Sequence, residues 1–375
     1  MLRKPFVAIQ GFYGAGNVGD EAILGASIDA IRGCGKEAYV LAWNPSVVRS
    51  EWGVPATGIR RRRDEPIQWA LARSNALVVG GGGLLKDYGS GPKGVEKWLR
   101  WLEYGSRLGI PTMTWSIGVG SFEHSDSVAR VRNVLNRIDA ITVRDEGSAS
   151  RLREMGVTND VYVTADPVPA YVRRYRRARD GRGRRVGVCV RHWFETASEI
   201  EDPVVFSSFL GELARGLDQL IEREGAEVHF LPFRTVQGDD DRAIAEAVAK
   251  RMRHPAALVD GANPSVDETI NRLAEVDLVV AMRLHATIIG TTLGVPTLAL
   301  SYDAKVTDFM REIGQEDYVA PLQNIRGGWI VERASQAWRD PALNAELEGA
   351  TDTLAERFEI NTDLLRQRLN VGGSK

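Results

Sequence analysis

Asp277-Leu278-Val279-Val280-Ala281-Met282-Arg283-Leu284-His285-Ala286-Thr287 is a short apolar run that ends on an arginine and a histidine two positions apart. The run reads as a strand, and residues 286–293 read as the helix it hands over to. Gly294, Val295 and Pro296 close that helix, and a second buried strand is expected at 297–300. The carboxyl ends of strands and the amino ends of helices are where open α/β sheets bind anions. Arg283 can clamp a phosphate or carboxylate there, and His285 can carry a proton near neutral pH. The pair suits a small, doubly anionic substrate.

The same alternation runs outward from this stretch to both ends of the chain, the pattern of parallel βα units. In the first half strands are expected at 6–10, 38–42, 76–79, 112–117, 140–143 and 161–164, with helices at 21–32, 94–107, 128–138 and 146–155. In the second half strands are expected at 186–190, 229–231, 257–259, 277–281 and 297–300. Its helices fall at 206–222, 241–252, 266–274 and 305–313, and residues 333–369 are helical in pattern. The chain of 375 residues exceeds what one core usually organises. The expected fold class is α/β, with two Rossmann-like domains facing across a cleft, an arrangement that suits an enzyme with two substrates. The divisions are an N-terminal domain at 1–172, a basic linker at 173–185, a C-terminal domain at 186–332 and a helical segment at 333–375. The linker is placed on Arg173-Arg174-Tyr175-Arg176-Arg177-Ala178-Arg179-Asp180-Gly181-Arg182-Gly183-Arg184-Arg185, which is charged, punctuated by glycine and without apolar period. A second basic run is Arg60-Arg61-Arg62-Arg63. Both read as solvated surface, or as attraction to an anionic membrane or a diphosphate acceptor.

A hydrophobic share of 43% is ordinary for a soluble globular protein, and a net charge of −2 argues against a nucleic-acid binder. Cys34 and Cys189 lie far apart inside apolar stretches, without disulfide or zinc spacing, and read as buried thiols in a reducing compartment. The first residues show no signal-peptide pattern, and no apolar run reaches the ~18 residues of a membrane span. A cytoplasmic location is expected, with peripheral contact at the inner face of the membrane left open.

Other strand ends carry further candidates. Gly11-Phe12-Tyr13-Gly14-Ala15-Gly16-Asn17-Val18-Gly19-Asp20-Glu21 satisfies the glycine spacing of a dinucleotide fingerprint. Against that reading, Asp20 and Glu21 would repel a pyrophosphate, and the second strand ends in Ala42-Trp43-Asn44-Pro45 without an acidic ribose anchor. Asp20 reads as a helix cap, or as a carboxylate that binds or deprotonates a sugar hydroxyl. Gly80-Gly81-Gly82-Gly83, followed by Leu84-Leu85-Lys86-Asp87, reads as a tight turn or as a place where a ligand or another backbone approaches closely. In Val143-Arg144-Asp145-Glu146, Arg144 either pairs with its acidic neighbours or contacts an anion. Asp166 in Thr164-Ala165-Asp166-Pro167 reads as a turn cap. Lys305 follows the strand after Arg283 and His285, so adjacent loops can bring it to the same anion. His192 follows a strand and could line the cleft; His124, His229 and His254 have neither metal-ligand spacing nor carboxylate partners in sequence and read as structural or exposed. No metal site is indicated.

Taken in order, GFYGAGNVGDEAIL, VVGGGGLLKD, ITVRDEGS, TADPV and AMRLHATIIGTTLGVPTLALSYDAKV resemble the polysaccharide pyruvyl transferase family, in particular its CsaB-type members of bacterial cell-wall synthesis. The segments span residues 11 to 306. The resemblance implies two Rossmann-like domains as in GT-B glycosyltransferases, phosphoenolpyruvate as donor and a pyruvyl ketal on a sugar as product. It implies donor binding or catalysis by Arg144, Arg283, Leu284, His285 and Lys305. Asn17, Asp20, Glu21, Gly82 and Lys86 are the candidate acceptor-binding residues. The implied acceptor is a lipid-diphosphate-linked saccharide of a secondary cell-wall polysaccharide, of the kind that anchors surface layers, and no cofactor is implied. The reading requires Arg144, Arg283, His285 and Lys305 to converge in one pocket. Two rivals are a GT-B glycosyltransferase that uses a nucleotide sugar, and a non-catalytic wall-glycan binding protein with Trp98 and Trp101 as its platform. The spacing of those two tryptophans also fits the buried face of a helix.

Overall fold

The computed structural model describes residues 6–59, 64–87, 91–178, 183–191, 203–236, 238–258 and 265–372. The run Arg60–Arg63, the middle of the basic linker (179–182) and His192 lie outside the described residues. By its internal packing the chain divides into two units, Met1–Tyr171 with Leu354–Lys375, and Val172–Thr353.

The first unit alternates strands and helices: β1 (Phe6–Gln10), α1 (Val18–Gly33), β2 (Glu37–Ala42), α2 (Pro45–Trp52), β3 (Ala56–Gly58) and α3 (Glu65–Leu71). It continues with β4 (Ser74–Leu85), α4 (Gly91–Arg107), β5 (Thr112–Val119), α5 (Ser125–Leu135), β6 (Ile141–Val143), α6 (Glu146–Glu154), β7 (Val161–Val163) and α7 (Val168–Val172). The seven strands form one parallel sheet in the order β3-β2-β1-β4-β5-β6-β7. Strands covered on both faces are mostly apolar, and every residue of β1 and β5 is buried, the polar Gln10, Thr112, Thr114 and Ser116 included. α4 puts Val95, Trp98, Leu99, Trp101 and Leu102 on the sheet; Trp98 and Trp101 are 2% and 4% exposed, so they are core residues.

The second unit holds β8 (Arg185–Cys189), α8 (Pro203–Glu224), β9 (Glu227–Phe230), the short hairpin β10 (Thr235–Val236) and β11 (Asp239–Asp240), α9 (Asp241–Ala249) and β12 (Ala257–Leu258). After these come α10 (Val266–Ala274), β13 (Leu278–Ala281), α11 (Leu284–Thr292), β14 (Thr297–Ser301), α12 (Ala304–Glu312), β15 (Val319–Pro321), α13 (Gly327–Arg339) and α14 (Leu343–Gly372). Its main sheet is parallel, in the order β12-β9-β8-β13-β14-β15. In both sheets two strands run outward one way from the first strand, and the chain then crosses to its other side. The order reverses between β1 and β4 in one sheet and between β8 and β13 in the other, and ligands of such sheets bind outside the carboxyl ends at that switch point.

α11 is buried along nearly its whole length, with His285 half-buried in its first turn. An added Cβ on Gly290 would lie 2.6 Å from Thr297 Oγ1, which shows how closely this helix sits on β14. The expected helical tail is two helices, α13 and α14. The first unit takes the end of α14: Phe358 meets the Trp115 ring edge-on at 5.7 Å, and buried Asn361 accepts from Thr142 Oγ1 (2.7 Å) and donates to Ser116 Oγ (2.9 Å). Part of the basic linker is likewise structural. Arg176 donates to Asp352 at 2.9 and 3.0 Å and to the Thr292 carbonyl at 2.6 Å, pinning the start of α14 to α11.

Candidate functional site

At the switch point of the first sheet, the loop after β1 closes on itself. Asn17 caps α1, its side chain accepting from the Gly19 N–H at 3.1 Å, so the cap expected of Asp20 belongs to Asn17. Asp20 lies in the first helical turn, 7% exposed, its Oδ1 3.3 Å from where a Cβ on Gly82 would stand. Glu21 turns back and accepts from the Gly14 N–H at 2.6 Å and from Trp52 Nε1 at 3.4 Å. Burial, opposed by the Gly14 hydrogen bond, pushes its carboxyl up to about 8. Glu21 is therefore a mainly neutral brace of the glycine loop at neutral pH, 4% exposed, and not the second half of a charged pair. The Gly14 N–H that would cradle a pyrophosphate is already committed. Gly14 itself has φ +72°, and a Cβ there would meet the Asn44 carbonyl at 2.6 Å.

The glycine run is strand, not turn. Gly80 pairs with Trp115 and Gly82 with Ile117 inside the β4–β5 ladder. A Cβ on Gly80 would collide with the Trp115 backbone, and one on Gly81 with Ile23 of α1, so close backbone approach is the reason for both glycines. Lys86 is exposed just past β4. Asp87 beside it is buried and accepts from the backbone of Glu123 (2.7 Å) and His124 (3.1 Å) and lies 3.1 Å from His124 Nδ1. His124 thus has the carboxylate partner that its sequence surroundings did not reveal. Two loops farther along, Arg144 follows β6. Its Nε donates to Asp145 at 3.1 Å, and Nη1 lies 3.6 Å from Asp166, with the side chain 11% exposed.

The second unit gathers its charges at the carboxyl edge of its own sheet. Arg283 stands between β13 and α11, 7% exposed. Its Nε and Nη2 donate to the two oxygens of Asp241 at 2.8 and 2.5 Å, and Nη2 also reaches Asp239 at 3.3 Å. Asp241 receives the Phe233 and Arg234 N–H groups as well, at 3.0 and 3.1 Å. Burial acts against both charges. For Arg283 it is outweighed by Asp241 and Asp239, which hold the guanidinium above its usual range. The four hydrogen bonds onto Asp241 support an ionic pair. Asp241 thus takes the Nε–Nη2 side of the guanidinium.

Leu284 and His285 follow in the first turn of α11, where the helix amino end offers backbone N–H groups and no side chain caps it. Lys305 opens α12 after β14; its Nζ lies 3.0 Å from Asp303 and 5.3 Å from the centre of the Tyr302 ring. Arg191, just past β8, donates from Nη1 to Tyr302 Oη at 3.1 Å, with its guanidinium 5.3 Å from the same ring centre. Arg234 pairs with Asp239 at 2.8 Å. Three neighbouring strands, β8, β13 and β14, thus deliver Arg191, Arg283 and Lys305 to one edge. Tyr302 senses the sum: burial pushes its phenol up, but Lys305, Arg191 and Arg283 outweigh burial and bring it below its ordinary range. Arg283, His285 and Lys305 therefore belong to one unit and Arg144 to the other. Sequence spacing had not singled out Arg191, Tyr302, Asp239 or Asp241, since their partners are 42 to 111 residues away.

No group of three or more potential metal-binding side chains occurs among the described residues, and no helix among them is long and apolar enough to cross a membrane.

The sequence pattern of one family, described as polysaccharide pyruvyl transferase, matches residues 17–304. No curated protein matches the chain. Among solved structures, the UDP-GlcNAc 2-epimerase from Neisseria meningitidis bound to UDP-GlcNAc is 10% identical, with a TM-score of 0.61 over 96% of this chain and 99% of that one. A glycosyltransferase from Rickettsia africae is 9% identical, with a TM-score of 0.60 over 99% and 98%. The spinosyn rhamnosyltransferase SpnG is 14% identical, with a TM-score of 0.51 over 97% and 100%. At such identities the likeness concerns the fold, which is that of two Rossmann-like units as in GT-B enzymes.

Proposed function

Because the chain belongs to the polysaccharide pyruvyl transferase family, we propose that it moves the pyruvyl group of phosphoenolpyruvate onto a sugar of a cell-wall polysaccharide precursor and releases phosphate. The observation that carries this reading is the cationic edge of the second sheet, where Arg283 and Lys305 lie near the amino end of α11, whose first turn holds His285. Phosphoenolpyruvate brings a phosphate and a carboxylate, and both need cations in a partly buried place. Backbone N–H groups at the start of α11 suit the phosphate.

In the proposed reaction His285 delivers a proton to the methylene carbon, and carbon 2 becomes an oxocarbenium-like centre. A sugar hydroxyl adds to carbon 2 and gives up its proton. The carbon–oxygen bond to phosphate then breaks and a second hydroxyl of the same sugar closes the cyclic ketal; of the two hydroxyl protons, one restores His285 and the other leaves with inorganic phosphate. The cations stabilise the anions throughout and the acid works by general catalysis. Arg144 is the further cation proposed for this chemistry. Asp20 is the candidate for orienting the acceptor hydroxyl, a role that fits Glu21 poorly because Glu21 is buried and committed to Gly14. The steps need neither a metal nor a redox cofactor. The acceptor is proposed to be lipid-diphosphate-linked and met at the inner face of the membrane.

Burial takes Trp98 and Trp101 out of any aromatic platform for a passive glycan binder. The test is mass spectrometry of lipid-linked disaccharides incubated with phosphoenolpyruvate. The expected result is a saccharide that gains the pyruvyl mass as inorganic phosphate appears. Transfer of a sugar from a nucleotide donor instead would overturn the proposal.

A further inference from the structure

We infer that Arg191 is a donor-binding residue that takes the carboxylate of the three-carbon acid, and that Tyr302 positions it. The inference rests on the phosphoenolpyruvate reading and adds to it a second anion contact within the same unit.

The switch point supplies the first argument. β8 and β13 are neighbours in the sheet, paired from Val186↔Leu278 to Cys189↔Ala281, so Arg191 and Arg283 leave adjacent strands on either side of the place where such sheets bind ligands. The second argument is the state of Arg283. Asp241 occupies its Nε–Nη2 side and Asp239 touches it too, so the charge of Arg283 is already partly balanced. Lys305 is likewise shared with Asp303. A substrate with two anionic groups therefore needs a further cation on this edge. Arg191 is placed to be that cation, because it and Lys305 both approach the ring of Tyr302 to 5.3 Å.

The field at Tyr302 is the third argument. Partial burial alone would push the Tyr302 phenol up, yet it comes down because Lys305, Arg191 and Arg283 lie around it. The locus prefers negative charge before any substrate arrives. With the phosphate at the amino end of α11, the carboxylate meets the planar guanidinium of Arg191, whose fork matches a carboxylate's geometry. The Tyr302 hydroxyl, 3.1 Å from Nη1, fixes the direction of that fork.

The test is calorimetric titration of the full chain with phosphoenolpyruvate and, separately, with inorganic phosphate. Arg191→Ala is expected to weaken phosphoenolpyruvate binding tenfold or more and to leave inorganic phosphate within twofold of the wild type. Arg191→Lys, which keeps the charge but not the fork, should fall between the two. Tyr302→Phe keeps the ring and removes the oxygen, and should weaken phosphoenolpyruvate several-fold without touching inorganic phosphate. A purely structural Tyr302 would affect both ligands alike. Thermal melts of each variant establish that it is folded. If the wild type binds phosphoenolpyruvate and folded Arg191→Lys and Arg191→Ala bind it equally well, the assignment of Arg191 is overturned while the donor reading stands. Equal weakening of both ligands overturns the carboxylate assignment. A wild type that binds no phosphoenolpyruvate overturns the donor reading itself.

Discussion

Tyr13 and Tyr302 each lie just beyond the carboxyl end of a strand, one in each unit, and they experience opposite fields. The Tyr13 phenol, which donates to the Gly80 carbonyl at 2.7 Å, is pushed up by burial and then by Asp20, with a smaller push from Asp166. The Tyr302 phenol is brought down by Lys305, Arg191 and Arg283 against the effect of burial. Two sheets of the same winding thus present edges of opposite electrostatic character. A carboxylate-lined edge can accept hydrogen bonds from sugar hydroxyls, whereas a cationic edge can hold a phosphorylated acid. Topology supplies the platform in both units, and a handful of loop residues decide what each platform attracts.

The comparison can be broken most forcefully at Arg283. Arg283→Ala leaves Asp241 buried without its counter-charge, and unfolding measured by denaturant should show a loss of about 3–5 kcal/mol together with loss of activity. If stability is unchanged, the Arg283–Asp241 pair is not the fixed element described above. Gly80→Ala tests the other unit. A methyl against the Trp115 backbone should lower stability by about 3 kcal/mol, read from the same denaturant curves. A tolerated alanine would mean that β4 can part from β5.

His285→Ala should leave the melting temperature in place and lower turnover by about 10²-fold or more. Near-normal turnover would remove His285 from the role of acid. Glu21 gives the most graded effect. Below its ordinary value of 4.5 the carboxyl is protonated in folded and unfolded chains alike, and it contributes no pH dependence. Between 4.5 and about 8 the unfolded chain releases a proton that the folded chain retains, so stability falls as pH rises. The slope is at most about 1.4 kcal/mol per pH unit. Glu21→Gln should flatten that slope in melts taken across the window, and an unchanged slope would show that Glu21 is ionised in the folded protein.

Much of the fold was legible because buried parallel strands are continuous apolar runs. β1 and α10 occupy the expected residues, and most other expected elements lie within a few residues of theirs. β3, α2 and α3 are not legible in the sequence because elements of 3, 8 and 7 residues carry too little periodicity. The glycines hide the second half of β4, since glycine ordinarily weakens a strand; here contact with Trp115 and Ile23 reverses that logic. At the site, the strand-end positions of Arg144, Arg283, His285 and Lys305 could be read from the alternation of runs. What could not be read was which carboxylates hold them. Asp241 and Arg283 meet only because the end of β13 and the start of α9 come together in space, and nothing in either segment announces the other. Arg191 was hidden for the same reason, as a lone arginine after a short strand.

Amide hydrogen exchange with and without phosphoenolpyruvate tests most directly whether the cationic edge is the donor site. Slowed exchange is predicted at residues 282–288 and 301–306 of the second unit. Slowed exchange confined to residues 11–21 and 80–87 of the first unit, with the second unit unaffected, would contradict the account.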